Sequence, residues 1–313
     1  MATRILEIQS AGNFLNVSRG HLVISRDKLR VGSVPLADIA VLLISNNACS
    51  LSAHVISSLA ANGAQIVLCN ERFTPAAIFL PTQGLQIHAQ RLALQIQAKL
   101  PIRKRLWAEC VSVKIKNQAA VLEYFGACGS RMRTLAKKVR AGDPSNLEGQ
   151  AARLYWRQLF GESFRRDKNG AGINAILNYG YTVLRAAMIR AIVSAGLHPG
   201  LSIHHSAKQN PAALADDLVE MFRPLVDALA RRLFDIGLDY ITPESKGELA
   251  SLLTLDFHGA VEVSTVPLAM HDLCLSLVKS LQNNKTLLFD CSLDATLSAF
   301  DTTRSTTEVK CIE

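Results

Sequence analysis

QGLQIHAQRLALQIQAKLPIRKRLWAECVSVKIKNQAAVLEYF, residues 83–125, is where the periodicity of the chain changes. Upstream of it, apolar residues fall in short β-branched runs. Within it they recur every three to four residues, as on one face of a helix. Pro101 does not end the pattern, because proline in a first helical turn gives up only an N–H that has no partner there. Residues 85–100 and 103–125 are therefore read as helices, and residues 176–195 as another, with Gly126, Gly129, Gly161, Gly170 and Gly172 falling between helical segments. Upstream, runs at residues 4–8, 22–25, 30–34 and 39–44 are separated by Gly12-Asn13, Arg19-Gly20 and Arg26-Asp27, which is the punctuation of a compact sheet. Residues 51–61 read as a short helix closed by Asn62-Gly63, residues 65–69 as a further strand, and Thr74-Pro75 and Leu80-Pro81 as the exit. The expectation is an α+β chain with a β-rich N-terminal domain at 1–74, a linker at 75–84, an all-α C-terminal domain at 85–300 and a polar, frayed tail at 301–313.

Composition narrows the class. Of 313 residues, 49% are hydrophobic and 19% charged, which fits an ordered globular chain and excludes a mostly disordered one. No stretch approaches the roughly 18 apolar residues of a membrane span, and residues 1–10 lack an apolar signal core, so a cytoplasmic protein is expected. The seven cysteines are scattered and never two residues apart, as reduced thiols would be. The net charge of +8 is unevenly placed: residues 99–140 hold eleven Lys or Arg against Glu109 and Glu123, whereas residues 211–313 hold eight basic and sixteen acidic residues. Clustered cations displace counterions from phosphates, so the basic segment reads either as a polyanion-binding face or as a solvated helix surface.

The chemistry-bearing residues concentrate in GLSIHHS, residues 200–206, and NPAALADDLVEMFRP, residues 210–224. Pro211 suits the first turn of a helix whose apolar face would carry Leu214, Leu218, Phe222, Leu225 and Val226. On one continuous helix Asp217 and Glu220 would project to the same side, one turn apart, with His204 or His205 closing the cluster. Imidazole with carboxylate oxygens suits Mg²⁺ or Mn²⁺, and the lack of nearby thiolates disfavours structural zinc. The plainer alternative is a solvated pair bridged to Arg223 or Lys208. A third carboxylate, Glu148, lies in DPSNLEGQAARLYW, residues 143–156. Ser145 and Glu148 have the spacing of a capping box, but Asp143 before Pro144 is an equally good cap that frees Glu148 to point inward. Both readings stand.

Taken together these segments resemble the CRISPR-associated integrase family Cas1, in the form that accompanies type II (Cas9) systems. The resemblance covers nearly the whole chain and rests on Leu80-Pro81 with RKRLW at 103–107, NLEGQAA at 146–152, INAILNYGY at 173–181, and the His-His to Asp-Asp-Leu-x-Glu-x-Phe-Arg-Pro block. Ser202 and Met221 stand where the family usually has glycine and proline. The resemblance implies a β-rich dimerisation domain, a helical catalytic domain, and a homodimer, two of which flank a Cas2 dimer. Other type II adaptation proteins and the Cas9 effector are further partners it suggests. It places the catalytic and metal-ligating residues on Glu148, His205 and Glu220, with Asp217 as a supporting metal-site carboxylate. His205 is chosen over His204 because it directly precedes Ser206. The implied reaction joins the 3′-hydroxyl of a short DNA fragment, the spacer precursor, to a CRISPR repeat, with Arg103, Lys104, Arg105, Lys137, Lys138, Arg165 and Arg166 holding the DNA backbone. A branched-DNA repair nuclease using the same site, and a non-catalytic DNA-binding scaffold, are the competing readings.

Overall fold

The computed structural model describes residues 4–70, 75–79, 85–205, 210–259 and 263–300. The expected tail at 301–313, the Thr74 and Leu80-Pro81 signals, Ser206 and Lys208 lie outside them. The chain divides into two compact units, residues 1–96 with 189–198, and residues 97–188 with 199–313.

The first unit is built from two four-stranded sheets. β1 (Arg4–Ile8), β2 (Asn13–Ser18), β3 (His21–Arg26), β4 (Leu29–Pro35), β5 (Ile39–Ile44) and β6 (Ser50–Leu51) precede α1 (Ala53–Ala61), β7 (Gln65–Cys69) and β8 (Pro75–Phe79). One sheet has the order β4-β3-β2-β6 and the other β1-β5-β7-β8. The β2–β3 and β3–β4 hairpins turn on two-residue loops, Arg19-Gly20 and Asp27-Lys28, with φ positive at all four positions, the geometry that matches strand twist. Ile8, Leu15, Leu22, Ile39, Leu42, Leu59 and Ile66 form one core between the sheets and α1. β5 lies between parallel neighbours β1 and β7, and Val41 and Leu43 are buried as well as Leu42 and Ile44, so it reads as a continuous apolar run rather than an alternation.

Three expectations change here. Residues 51–61 are not one helix: Leu51 pairs in β6, Ser52 caps, and the helix begins at Ala53. The segment 75–84, expected as a linker, contains β8, which pairs antiparallel with β7. The helix α2 (Leu85–Gln97) groups, through residue 96, with the first unit rather than with the helices that follow.

The second unit is helical. α3 (Leu100–Tyr124), with proline in its first turn, is followed by α4 (Ser130–Lys138), α5 (Leu147–Phe160) and α6 (Ile173–Ser194), whose residues from 189 group with the first unit. Then come α7 (Ala213–Leu218), a 3-10 turn (Val219–Met221), α8 (Arg223–Asp235), α9 (Pro243–Ser251), β9 (Asp256–His258), β10 (Val263–Thr265), α10 (Val266–Asn283) and α11 (Asp294–Ser298). β9 and β10 form an antiparallel pair inside a part expected to be all helical. α3 is the hub, packing against α4, α5, α8, the 3-10 turn and α11 and burying twelve of its residues. The six cysteines among the described residues are free thiols.

Candidate active site

The helix expected from Pro211 onward is broken. Pro224 lacks an N–H and its ring crowds the carbonyl of Glu220, four residues back. The chain responds by ending α7 at Leu218, tightening into the 3-10 turn and restarting as α8 with Pro224 in its first turn. Asp217 and Glu220, three residues apart across this turn, take different partners.

Asp217 is fully buried and turned onto the loop before it. Its carboxylate accepts the backbone N–H groups of Ile203 at 2.6 Å, His204 at 3.0 Å and His205 at 3.1 Å, and meets His205 Nδ1 at 2.6 Å. A carboxylate is an acceptor only, so Nδ1 carries the proton and the Nε2 edge of the ring remains for other chemistry. The hydrogen bond to Asp217 raises the His205 pKa above its ordinary value, against the opposing effect of burial. Asp217, expected as a metal-site carboxylate, thus has both oxygens engaged in orienting the histidine loop. Ser202, at the position noted above for its missing glycine, donates its hydroxyl to the His205 carbonyl.

One stripe of α3 assembles the rest. Trp107, Lys114 and Asn117 share a face at helical spacing. The Trp107 ring, 2% exposed, stacks on His204 with centroids 4.3 Å and planes 2° apart, and meets His205 edge-on at 5.4 Å. Burial, then the neighbouring His205, hold the His204 pKa below its ordinary value. Asn117, fully buried, donates to the carbonyls of Met221 at 2.8 Å and Cys291 at 2.9 Å and accepts from Leu293 N–H at 3.1 Å. It fastens the turn that carries Glu220.

Glu148 is freed by two caps, Asp143 as the sequence allowed and Asn146 in addition. α5 starts at Leu147, three residues after Pro144, with Asn146 as its N-cap in the left-handed region. Asp143 Oδ1 and Oδ2 accept from Leu147 and Glu148 N–H at 2.9 and 3.0 Å, and Asn146 Oδ1 accepts from Gly149 N–H at 3.1 Å. The first-turn N–H groups are satisfied without the Glu148 side chain, which reaches Lys114 Nζ at 2.6 Å instead. Glu220 Oε2 lies 2.5 Å from the same nitrogen, and its Oε1 lies 3.1 Å from Arg223 Nη1. Burial opposes the Lys114 charge, but Glu220 and Glu148 more than offset it and hold the ammonium above the usual lysine range. Behind the site Arg223 lies over the Tyr181 ring at 4.8 Å, and Asp227, 1% exposed, accepts the hydroxyls of Tyr155 and Tyr181. Burial pushes the Asp227 carboxyl up to about 6, although the two tyrosines pull it the other way.

The seven basic residues expected on DNA divide by what they touch. Arg103 donates to the Ile203 carbonyl, Arg105 to that of Asn284, Arg165 to those of Glu162 and Phe164, and Arg166 to Asp167, Asn174 and Asn178. Arg103 and Arg166 are partly buried, whereas Arg105 and Arg165 remain exposed. Lys104, Lys137 and Lys138 are exposed.

Among the described residues no three His, Cys, Asp or Glu side chains close into a group that could hold a metal ion. The donor chemistry nonetheless suits one. Glu148 and Glu220 converge on a single cation, the Lys114 ammonium, at 2.6 and 2.5 Å. With His205 Nε2 they offer two hard oxygens and an imidazole nitrogen, a set fitted to Mg²⁺ or Mn²⁺. Trp107, Lys114, Asn117 and Asp143 were not singled out from sequence as site residues; the signal for two of them was Lys114 and Asn117 interrupting the buried stripe of α3.

Comparison with known proteins shows the family of the chain. The sequence model of the family described as CRISPR associated protein Cas1 matches residues 6–238. The CRISPR-associated endonuclease Cas1 of Neisseria meningitidis serogroup C (strain 8013) is 40% identical over 266 residues, covering 84% of this chain and 86% of that protein. Two solved structures share the fold: a chain of a partial Cas6-RT-Cas1–Cas2 complex, with TM-score 0.75, 18% identity and coverage of 92% and 98%, and a casposase bound to integration product, with TM-score 0.71, 21% identity and the same coverage.

Proposed function

The chain belongs to the Cas1 family, and from that premise we propose that it is a metal-dependent DNA integrase of CRISPR adaptation, with Glu148, His205 and Glu220 as its catalytic residues. The observation that carries this reading is the convergence of Glu148 and Glu220 on one buried cation beside a histidine whose tautomer Asp217 fixes. Glu148, Glu220 and His205 Nε2 would hold Mg²⁺ or Mn²⁺. Such a cation, when bound, polarises a phosphoryl oxygen and favours in-line exchange at phosphorus. Asp217 and Trp107 restrict the His205 ring, Arg223 balances part of the Glu220 charge, and Asn117 fixes the turn beneath it. Attack by a 3′-hydroxyl forms one phosphodiester as another breaks, so no external energy source is needed. Lys104, Lys137 and Lys138, which are exposed, would meet DNA phosphates irrespective of sequence.

The substrates are a spacer-length DNA fragment and a CRISPR repeat, and the assembly is a homodimer that binds a Cas2 dimer, alongside the other adaptation proteins and Cas9 of a type II system. Support for the Cas2 and DNA partners comes from the neighbours whose structures are a Cas1–Cas2 complex and a product complex. No described helix is long and apolar enough to cross a membrane.

A second reading follows from the word endonuclease in the relative's name: hydrolysis at the same site, with water as nucleophile. The test separates the two. Purified protein and its Cas2 partner are given a supercoiled repeat plasmid, Mn²⁺ and a labelled short duplex ending in either a 3′-hydroxyl or a 3′-dideoxy nucleotide. The integrase reading predicts joined product from the hydroxyl-ended duplex alone; nicking without joining from either duplex overturns it in favour of the nuclease.

A further inference from the structure

Lys114 has a place that neither DNA contact nor helix packing explains. Its side chain is only 13% exposed, on the buried stripe of α3, and its ammonium lies between Glu148, 28% exposed, and Glu220, 8% exposed. Two carboxylates brought to one point in a poorly solvated site repel each other, and a cation between them is required to hold both ionised. The ammonium meets Glu148 Oε1 at 2.6 Å and Glu220 Oε2 at 2.5 Å, so one cation serves both carboxylates. A divalent cation held by these same two oxygens needs the same space. Ammonium and metal therefore exclude each other.

We propose that Lys114 is a built-in competitor of the divalent cation, with the ammonium and the metal occupying the Glu148–Glu220 pair alternately. The proposal rests on the reading of those carboxylates as metal ligands. Its consequences are that the metal-free protein keeps a neutralised, folded site, and that metal binds more weakly than the donor set alone allows. The four-carbon stem lets the ammonium leave without moving α3.

The test titrates Mn²⁺ alone into the full-length chain by calorimetry and records thermal unfolding in chelator and in Mn²⁺. Wild type is compared with Lys114→Met, Lys114→Gln and Lys114→Arg. The uncharged variants are expected to bind Mn²⁺ at least about tenfold more tightly, to melt lower than wild type in chelator, and to gain more from Mn²⁺ than wild type does. Lys114→Arg keeps the charge and keeps weak binding. Equal or weaker Mn²⁺ binding by both Lys114→Met and Lys114→Gln, with wild type binding, overturns the competition alone and makes the lysine a positioning group. No Mn²⁺ binding by any of the four proteins overturns the metal reading together with it.

Discussion

Replacing Asp217 by asparagine keeps the shape of a fully buried side chain and changes only what it can accept. In wild type Oδ2 serves Ile203 and His204 N–H, and Oδ1 serves His205 N–H and the His205 ring. An amide has one acceptor oxygen, so its NH₂ must face two N–H donors whichever way it is turned. If it faces Ile203 and His204, two buried donors are orphaned and the loop loses its anchor. If it faces His205, the ring proton must move to Nε2, closing the edge proposed for the metal. Hydrogen bonds to a charged acceptor contribute about 1.5–3 kcal/mol each and a buried orphan costs about 1–3 kcal/mol, so the variant should lose about 3–5 kcal/mol of stability. DNA joining should fall about 100-fold or more with DNA affinity unchanged, as expected when the group orienting a catalytic histidine is lost. Urea unfolding and a single-turnover joining assay measure the two effects. Asp216→Asn is the control, because Asp216 is half-buried and paired with Arg185 outside the loop. A variant at Asp217 that unfolds within about 1 kcal/mol of wild type and joins DNA at the wild-type rate refutes the reasoning.

Three further outcomes follow from the same structure. Asp227 has a folded pKa of about 6 against an ordinary 3.8, so the folded state binds the extra proton and this group's contribution falls as pH rises from about 4 to 6; urea unfolding should show Asp227→Asn gaining up to about 3 kcal/mol on wild type across that window, and a pH-independent difference contradicts it. Asn117→Ala leaves two buried carbonyls and the Leu293 N–H without their partner, so denaturation should show a loss of about 3 kcal/mol or more and the joining rate should fall with it. Changing Lys104, Lys137 and Lys138 together to Gln should lower the slope of log affinity against log salt for DNA by about 2–3 with the melting temperature held, whereas Arg103→Gln and Arg166→Gln should lower the melting temperature first.

How far the sequence reads as structure depends on the range of the forces involved. Strand runs punctuated by Arg19-Gly20, and helices with a 3.6-residue period such as α3, are local signals, and the α+β division follows from them. The break at Pro224 was also legible, since the residue that interrupts the helix is in the sequence, but the long apolar pattern from Leu214 to Val226 masked it. What the sequence could not display is the exchange of partners. Whether Glu148 closes a capping box or reaches Lys114 depends on Asp143 and Asn146 satisfying the helix start, and on α3 passing beside α5. Likewise Asp217, which spacing sets beside Glu220, spends its oxygens on a loop twelve to fourteen residues upstream. For a similar reason the sequence could not display which guanidinium groups find carbonyls, as Arg103 finds that of Ile203.

The claim that Glu148, Glu220 and His205 form one catalytic centre is tested most directly by single-turnover strand transfer. Wild type, Glu148→Gln, Glu220→Gln and His205→Ala are assayed with Cas2, a 3′-hydroxyl duplex and a repeat plasmid, in Mn²⁺ and in chelator. The account predicts joining that needs Mn²⁺ and is lost by about 1,000-fold or more in each variant, with DNA still bound. Joining that survives in chelator, or in any one of the three variants, contradicts it.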